Sequence, residues 1–162
     1  MIKYVRGDAT RPTEEGNKAI IHIVNDVPGG RWGRGFVLAI NKTFGTDCKD
    51  WYLQWASGRI TDVKFSLGKI QVVRVADNIS VINMVAQHGI GLDRNGRAPI
   101  RYEELGTCLD KVANYIKKQE GSWTVVGPKL GSGLAGGKWE IIEKLIEERI
   151  CSQGIPVIIY TP

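Results

Sequence analysis

Gly131-Ser132-Gly133-Leu134-Ala135-Gly136-Gly137 lies between an apolar run, Trp123 to Val126, and a segment beginning near Lys138 in which Ile142, Ile146 and Ile150 recur every four residues with Leu145 three beyond Ile142. The run predicts a strand and the spacing predicts a helix, so the glycines join one to the other. Glycine lets main chain approach a ligand closely. Successive N–H groups in such a loop, with the free N–H groups of the helix behind it, form a cradle for phosphate oxygens. A plain turn seldom needs four glycines in seven positions. We therefore read the segment as phosphate-binding.

Familiar nucleotide motifs do not fit. Gly131, Gly133 and Gly136 satisfy G-x-G-x-x-G, but a dinucleotide fold expects an acidic residue about 20 positions later. No Asp or Glu follows Glu148. A Walker loop ending at Lys138 needs glycine at 132 and Ser or Thr at 139, where Ser132 and Trp139 stand; kinase-type Mg²⁺ chemistry goes with it. A second glycine-rich stretch is Asn25-Asp26-Val27-Pro28-Gly29-Gly30-Arg31-Trp32-Gly33-Arg34-Gly35-Phe36. If both loops open at one sheet edge they can hold a diphosphate between them, with the side chains of Asn25 and Arg34 reaching outward. The predicted ligand is an elongated nucleotide diphosphate.

Working outward, Ile2 to Arg6 predicts the first strand, and Ala19 to Asn25, continuously apolar, predicts one covered on both faces in the middle of the sheet. Phe36, Val37, Ile40 and Phe44 share a helix face that Gly45 ends, and Cys48, Trp51, Tyr52 and Trp55 describe a second short helix packed by aromatics. Lys69 to Val75 and Ile79 to Ala86 predict a hairpin turning at Asp77-Asn78. Beyond a polar loop from His88 to Ala98, residues Tyr102, Leu105, Leu109, Val112 and Ile116 mark an amphipathic helix, and Val157 to Tyr160 is the last strand. Strands interleaved with helices predict an α/β domain whose hairpin makes the sheet mixed. No repeat or linker divides residues 1–162, which we read as a single domain.

At 162 residues, 43% hydrophobic and 24% charged, the chain suits a soluble domain that builds its core without staples. Cys48, Cys108 and Cys151 include no C-x-x-C pair, and an odd count argues against a secreted disulfide framework. The opening MIKYVRGDAT carries charge and no long apolar stretch, so we expect no leader, no membrane span, and a cytoplasmic monomer. The balance of 22 Lys plus Arg against 17 Asp plus Glu, +5, reads as general solubility rather than a nucleic-acid face. Arg31 and Arg34, and Arg94, Arg97 and Arg101, cluster in loops, which places charge near a site. His22 and His88 have no ligand-spaced carboxylates or thiols beside them, so neither metal nor cofactor is predicted. A Ser-His-Asp triad is not supported, because a phosphate hydrogen bond explains Ser132 better.

Taken together, Tyr4-Val5-Arg6-Gly7-Asp8-Ala9-Thr10, His22-Ile23-Val24-Asn25-Asp26, Trp32-Gly33-Arg34-Gly35, Asn83-Met84-Val85-Ala86-Gln87, Pro128 to Trp139 and Val157-Ile158-Ile159-Tyr160 resemble a macrodomain across nearly the whole chain. Within that family the chain is most similar to the branch of terminal ADP-ribose protein glycohydrolase and the yeast-type ADP-ribose 1″-phosphate phosphatase. The resemblance implies a three-layer α/β/α fold with a mixed six-stranded sheet and ADP-ribose at the strand ends. It implies that Asp8 accepts from the adenine amino group beside a backbone donor at Ala9, although turn capping also describes Asp8. Tyr160 would lie near adenine or serve as a core tyrosine. Gly131, Ser132, Gly133, Leu134, Ala135, Gly136 and Gly137 would wrap the diphosphate. Trp32, Gly33, Arg34, Gly35 and Phe36 would line the distal ribose and phosphate. Asn25 would meet the distal ribose hydroxyls or act as a strand-end turn residue. His22 matches a family histidine on the substrate side, although a satisfied core imidazole describes it better.

One departure matters. The lysine and aspartate that carry the reaction in the human glycohydrolase align with Gln87 and Ala135. Glutamine forms no ribosyl-lysine adduct and alanine takes no proton, so that covalent route is closed. Hydrolysis would instead need a water oriented by His88, Gln87, Asn25 or Asp26. The resemblance therefore implies removal of ADP-ribose from glutamate or aspartate esters of ADP-ribosylated proteins. A reader module that binds ADP-ribose without chemistry and a phosphatase acting on ADP-ribose 1″-phosphate are the alternatives.

Overall fold

The structure, a computed structural model, describes residues 1–133 and 135–162. Its strands are β1 (Lys3–Arg6), β2 (Asn17–Asn25), β3 (Ile70–Ala76), β4 (Ile79–Gln87), β5 (Trp123–Gly127) and β6 (Val157–Thr161). The helices are α1 (Phe36–Phe44), α2 (Asp47–Ala56), α3 (Tyr102–Lys117) and α4 (Trp139–Arg149). One six-stranded sheet runs in the order β1-β6-β5-β2-β4-β3. Its neighbours are parallel except for the β3–β4 hairpin, so the sheet is mixed.

The layers follow from the alternation within β2 and β4. Ile20, Val24, Val81 and Val85 pack with Val37 and Ile40 of α1 and Cys48, Tyr52 and Trp55 of α2. Ala19, Ile21, Ile82, Met84 and Ala86 pack on the other face with Leu105, Leu109 and Val112 of α3 and Ile142 and Ile146 of α4. A strand covered on both faces has no reason to alternate with polar residues, which is why β2 reads as a continuous apolar run. Each fully buried aliphatic side chain contributes about 1.5–3 kcal/mol, and Ile20, Ile21, Ile82, Leu105 and Ile142 are all wholly enclosed.

The elements differ from expectation at their edges. Ile150 stands just past the end of α4 rather than within it, and a 3-10 turn, Cys151–Gln153, follows. At the end of β2 the register slips: Val24 pairs with Val85, but Asn25 pairs with Gln87. A slip of this kind re-aims side chains at a strand end, and it falls where both glycine-rich stretches converge. No helix among the described residues is long and apolar enough to cross a membrane.

Candidate functional site

The carboxyl ends of β2, β4 and β5 open into a cleft of about 560 Å³. Ligands of open α/β sheets occupy this edge, because loops and helix starts converge there. Both glycine stretches contribute to its wall. Arg31, Gly33, Arg34, Gly35 and Phe36 come from the first, and Gly131, Gly133 and Ala135 from the second, with Asn25 and Gln87 between them.

The first stretch is anchored by α2. The Tyr52 hydroxyl donates to the carbonyl of Asn25 at 2.6 Å and accepts from the amide of Arg31 at 3.2 Å, closing the loop across its two ends. Burial pushes this phenol up to about 12, so it keeps its proton. A Cβ on Gly30 would stand 2.8 Å from the Tyr52 ring, so a side chain there would push the loop off its anchor. Trp32 turns away from the cleft wall: its indole donates to Asn41 Oδ1 at 2.9 Å and its ring meets His22 edge-on at 5.4 Å.

The second stretch needs correction on two counts. Gly136 N donates to Gly133 O at 3.0 Å, Gly137 N to Gly131 O at 2.7 Å, and Lys138 N to the Tyr102 hydroxyl at 2.9 Å. The cradle is thus not one run of free amides continuing into α4. Among the described residues, only the amides of Gly131, Ser132, Gly133 and Ala135 in this stretch lack a protein acceptor. The glycines also divide by purpose. A Cβ at Gly137 would stand 2.5 Å from Gly131 O, and one at Gly136 would stand 2.9 Å from Ala98, whereas Gly133 faces open space. Packing, not ligand approach, requires most of them. Ser132 Oγ donates to Lys129 O at 2.6 Å, and Leu134 lies outside the described residues.

His22 lines the cleft but belongs to a buried network. Asn83 Nδ2 donates to Gln71 Oε1 at 3.0 Å, so Asn83 Oδ1 is left to accept, from His22 Nε2 at 2.5 Å and from the Cys48 thiol at 3.6 Å. Desolvation lowers the imidazole to about 4 despite that bond. The ring is therefore neutral near pH 7, in keeping with the core reading. Asn25 is also engaged, its amide donating to Gly89 O and its Oδ1 accepting from Val27 N at 2.7 Å. This is the turn-asparagine arrangement.

Asp26 and His88 are brought together just past the carboxyl ends of the neighbouring parallel strands β2 and β4. His88 Nδ1 and Asp26 Oδ2 are 2.6 Å apart, and Gly89 N donates to Asp26 Oδ1 at 3.2 Å. Each directly follows a wall residue, Asn25 or Gln87, although neither lines the cleft itself. Asp8, Ala9 and Tyr160 also stand outside that wall. Asp8 Oδ1 caps a turn, accepting from Thr10 N at 2.8 Å and Thr10 Oγ1 at 2.7 Å. The Tyr160 hydroxyl donates to Glu14 at 2.7 Å and accepts from Thr13 N at 3.1 Å. Sequence reasoning left out Pro128, Lys129, Leu130, Ile90 and Gly91 as site residues, and also Ile23, Val24 and Val37, all of which line the wall. Proximity of Lys129 to the glycines was the signal available for it.

The chain is 42% identical to a solved protein of unknown function from Bacteroides thetaiotaomicron, with TM-score 0.90 and coverage of 99% of this chain and 97% of that one. It is 41% identical, with TM-score 0.83, to a macrodomain protein from Streptomyces coelicolor, across 100% of this chain and 99% of that one. The chain belongs to the macrodomain family. A further neighbour, Thermosipho africanus DarTG in complex with ADP-ribose, shares the fold at 18% identity and TM-score 0.68, over 89% of this chain and 38% of that one. Among curated proteins, mouse chromodomain-helicase-DNA-binding protein 1-like is 32% identical across 98% of the chain, which spans 17% of that protein's length. No family model matches. In this macrodomain the cleft offers neutral amides and cations, with no carboxylate or lysine at positions 135 and 87.

Proposed function

We propose that this macrodomain binds ADP-ribose in the cleft between its two glycine stretches and hydrolyses it from glutamate or aspartate esters on proteins. The cleft volume of about 560 Å³ falls in the range of about 300–1,000 Å³ common for small-molecule sites. Free amides at Gly131 to Gly133 and the cations Arg31, Arg34 and Lys129 suit a diphosphate. A fold neighbour whose complex contains ADP-ribose supports the ligand.

The observation that carries the hydrolytic part is the Asp26–His88 pair at the cleft rim. In the neutral ring, Nδ1–H donates to Asp26 and Nε2 keeps the lone pair, the tautomer of a general base. Water is deprotonated by His88 Nε2 as its oxygen bonds to the anomeric carbon of the distal ribose. The C–O bond to the acceptor breaks, the carboxylate leaves with the electron pair, and the proton passes to solvent. Gln87, on the wall beside His88, orients the water. No cofactor is required, and the reading is completed by one domain working as a monomer in a reducing cytoplasm.

The test is incubation with a protein mono-ADP-ribosylated on glutamate, with released ADP-ribose quantified. Wild type releases it, and His88→Ala and Asp26→Asn lower turnover by about 100-fold with ADP-ribose affinity held within about twofold. The reader alternative is favoured by Gln87 and Ala135, neither of which transfers a proton. Tight binding with no release establishes the reader instead.

A further inference from the structure

Residues 88–98 bridge the two sides of the cleft. One foot is tied to the end of β2, where Asp26 accepts from His88 and Gly89. The other meets the second glycine stretch: Ile100 N donates to Ala135 O at 3.0 Å, and Ala98 Cβ lies 2.9 Å from where a Cβ on Gly136 would stand. Ile90 and Gly91 line the cleft itself. The tip between the feet is folded by Asp93, whose Oδ1 accepts from Asn95 N at 2.8 Å and Arg97 N at 2.9 Å. Its Oδ2 accepts from Arg101 at 3.3 Å. The Arg97 amide, chief among these donors, helps hold the carboxyl below its ordinary range.

That acid is therefore engaged inside the turn. Arg94 and Arg97 are exposed, and no ion pair among the described residues involves them or the cleft-lining Arg31, Arg34 and Lys129. The diphosphate of one ADP-ribose neutralises only part of this charge. Beside the arginines, Ile90 and Leu92 expose 61% and 71% of their surface. A cation cluster interleaved with apolar side chains over a ligand cleft has a use if the ligand arrives attached to something acidic.

We propose that the 88–98 bridge docks an acidic polypeptide segment flanking the ADP-ribosylated residue. Arg94 and Arg97 pair with neighbouring Asp and Glu side chains, while Ile90 and Leu92 cover apolar ones. A nucleic-acid strand fits less well. Sequence-tolerant strand binding relies on aromatic stacking platforms, and no Phe, Tyr or Trp occurs between positions 88 and 98. This inference rests on the ADP-ribose reading above and names the acceptor class for it.

The experiment compares free ADP-ribose with peptides that carry it through a non-hydrolysable linkage, flanked either by glutamates or by lysines. Wild type binds the glutamate-flanked peptide about fivefold more tightly than free ADP-ribose, and the lysine-flanked peptide more weakly. Raising salt from about 0.05 M to about 0.2 M erases the advantage. Arg94→Glu combined with Arg97→Glu abolishes it while leaving free ADP-ribose affinity unchanged, which also shows that the variant is folded. Equal affinity for the two peptides, or preference for an ADP-ribosylated oligonucleotide over the acidic peptide, overturns the proposal and leaves ADP-ribose binding intact. Absence of free ADP-ribose binding by wild type overturns both readings.

Discussion

Asn83 sets the tautomer of His22, and burial sets its charge. The Asn83 amide nitrogen is held by Gln71, so its oxygen accepts from the imidazole Nε2 and fixes which ring nitrogen carries the proton, while burial keeps the ring neutral. The imidazole, ordinarily near 6.5, is lowered to about 4 by desolvation. A base depressed on folding takes up its proton in the unfolded chain first, so its contribution is complete above about pH 6.5 and is lost as pH falls toward 4. The loss amounts to about 3 kcal/mol. Unfolding free energies measured by urea at pH 7 and pH 4 should therefore fall further for wild type than for His22→Gln, by about that amount. Parallel pH curves contradict the assignment. The sequence showed the histidine in an apolar strand, but its partner lies 61 positions away and is set by the β2–β4 register.

At the scale of elements, the strand–loop–helix units were readable because their causes are local. The apolar run of β2 reflects cover on both faces, and the three-and-four spacing of α3 reflects one buried stripe. The glycine stretch at 131–137 was placed correctly between β5 and α4. Its glycines were not separable by sequence, since close packing and ligand approach both select the same residue. Gly137→Ala forces a Cβ to 2.5 Å from Gly131 O, and should cost about 2 kcal/mol or more in unfolding free energy. Gly133→Glu meets open space, so its stability should match wild type. It sets bulk and negative charge beside the free amides, and ADP-ribose affinity should drop by about 100-fold in calorimetry. Unchanged affinity in Gly133→Glu removes this stretch from the binding site.

For the whole molecule, topology does what no local pattern announces. The order β1-β6-β5-β2-β4-β3 sets the ends of β2, β4 and β5 side by side, so Asn25, Gln87 and Gly131 share one cleft. The same arrangement brings Asp26 to His88 across 62 positions, a contact that neither residue's neighbours in sequence foretell. Asp8 and Tyr160, expected beside adenine by resemblance alone, are engaged in a turn cap and a hydroxyl–carboxylate bond. The engagement of Asp93 within its own turn leaves Arg94 and Arg97 exposed and without an ion pair among the described residues. The central claim is that one ADP-ribose occupies this cleft, and calorimetric titration of the wild-type chain with free ADP-ribose tests it most directly. The account predicts a saturable one-to-one heat; no heat with ligand raised to about 1 mM contradicts it.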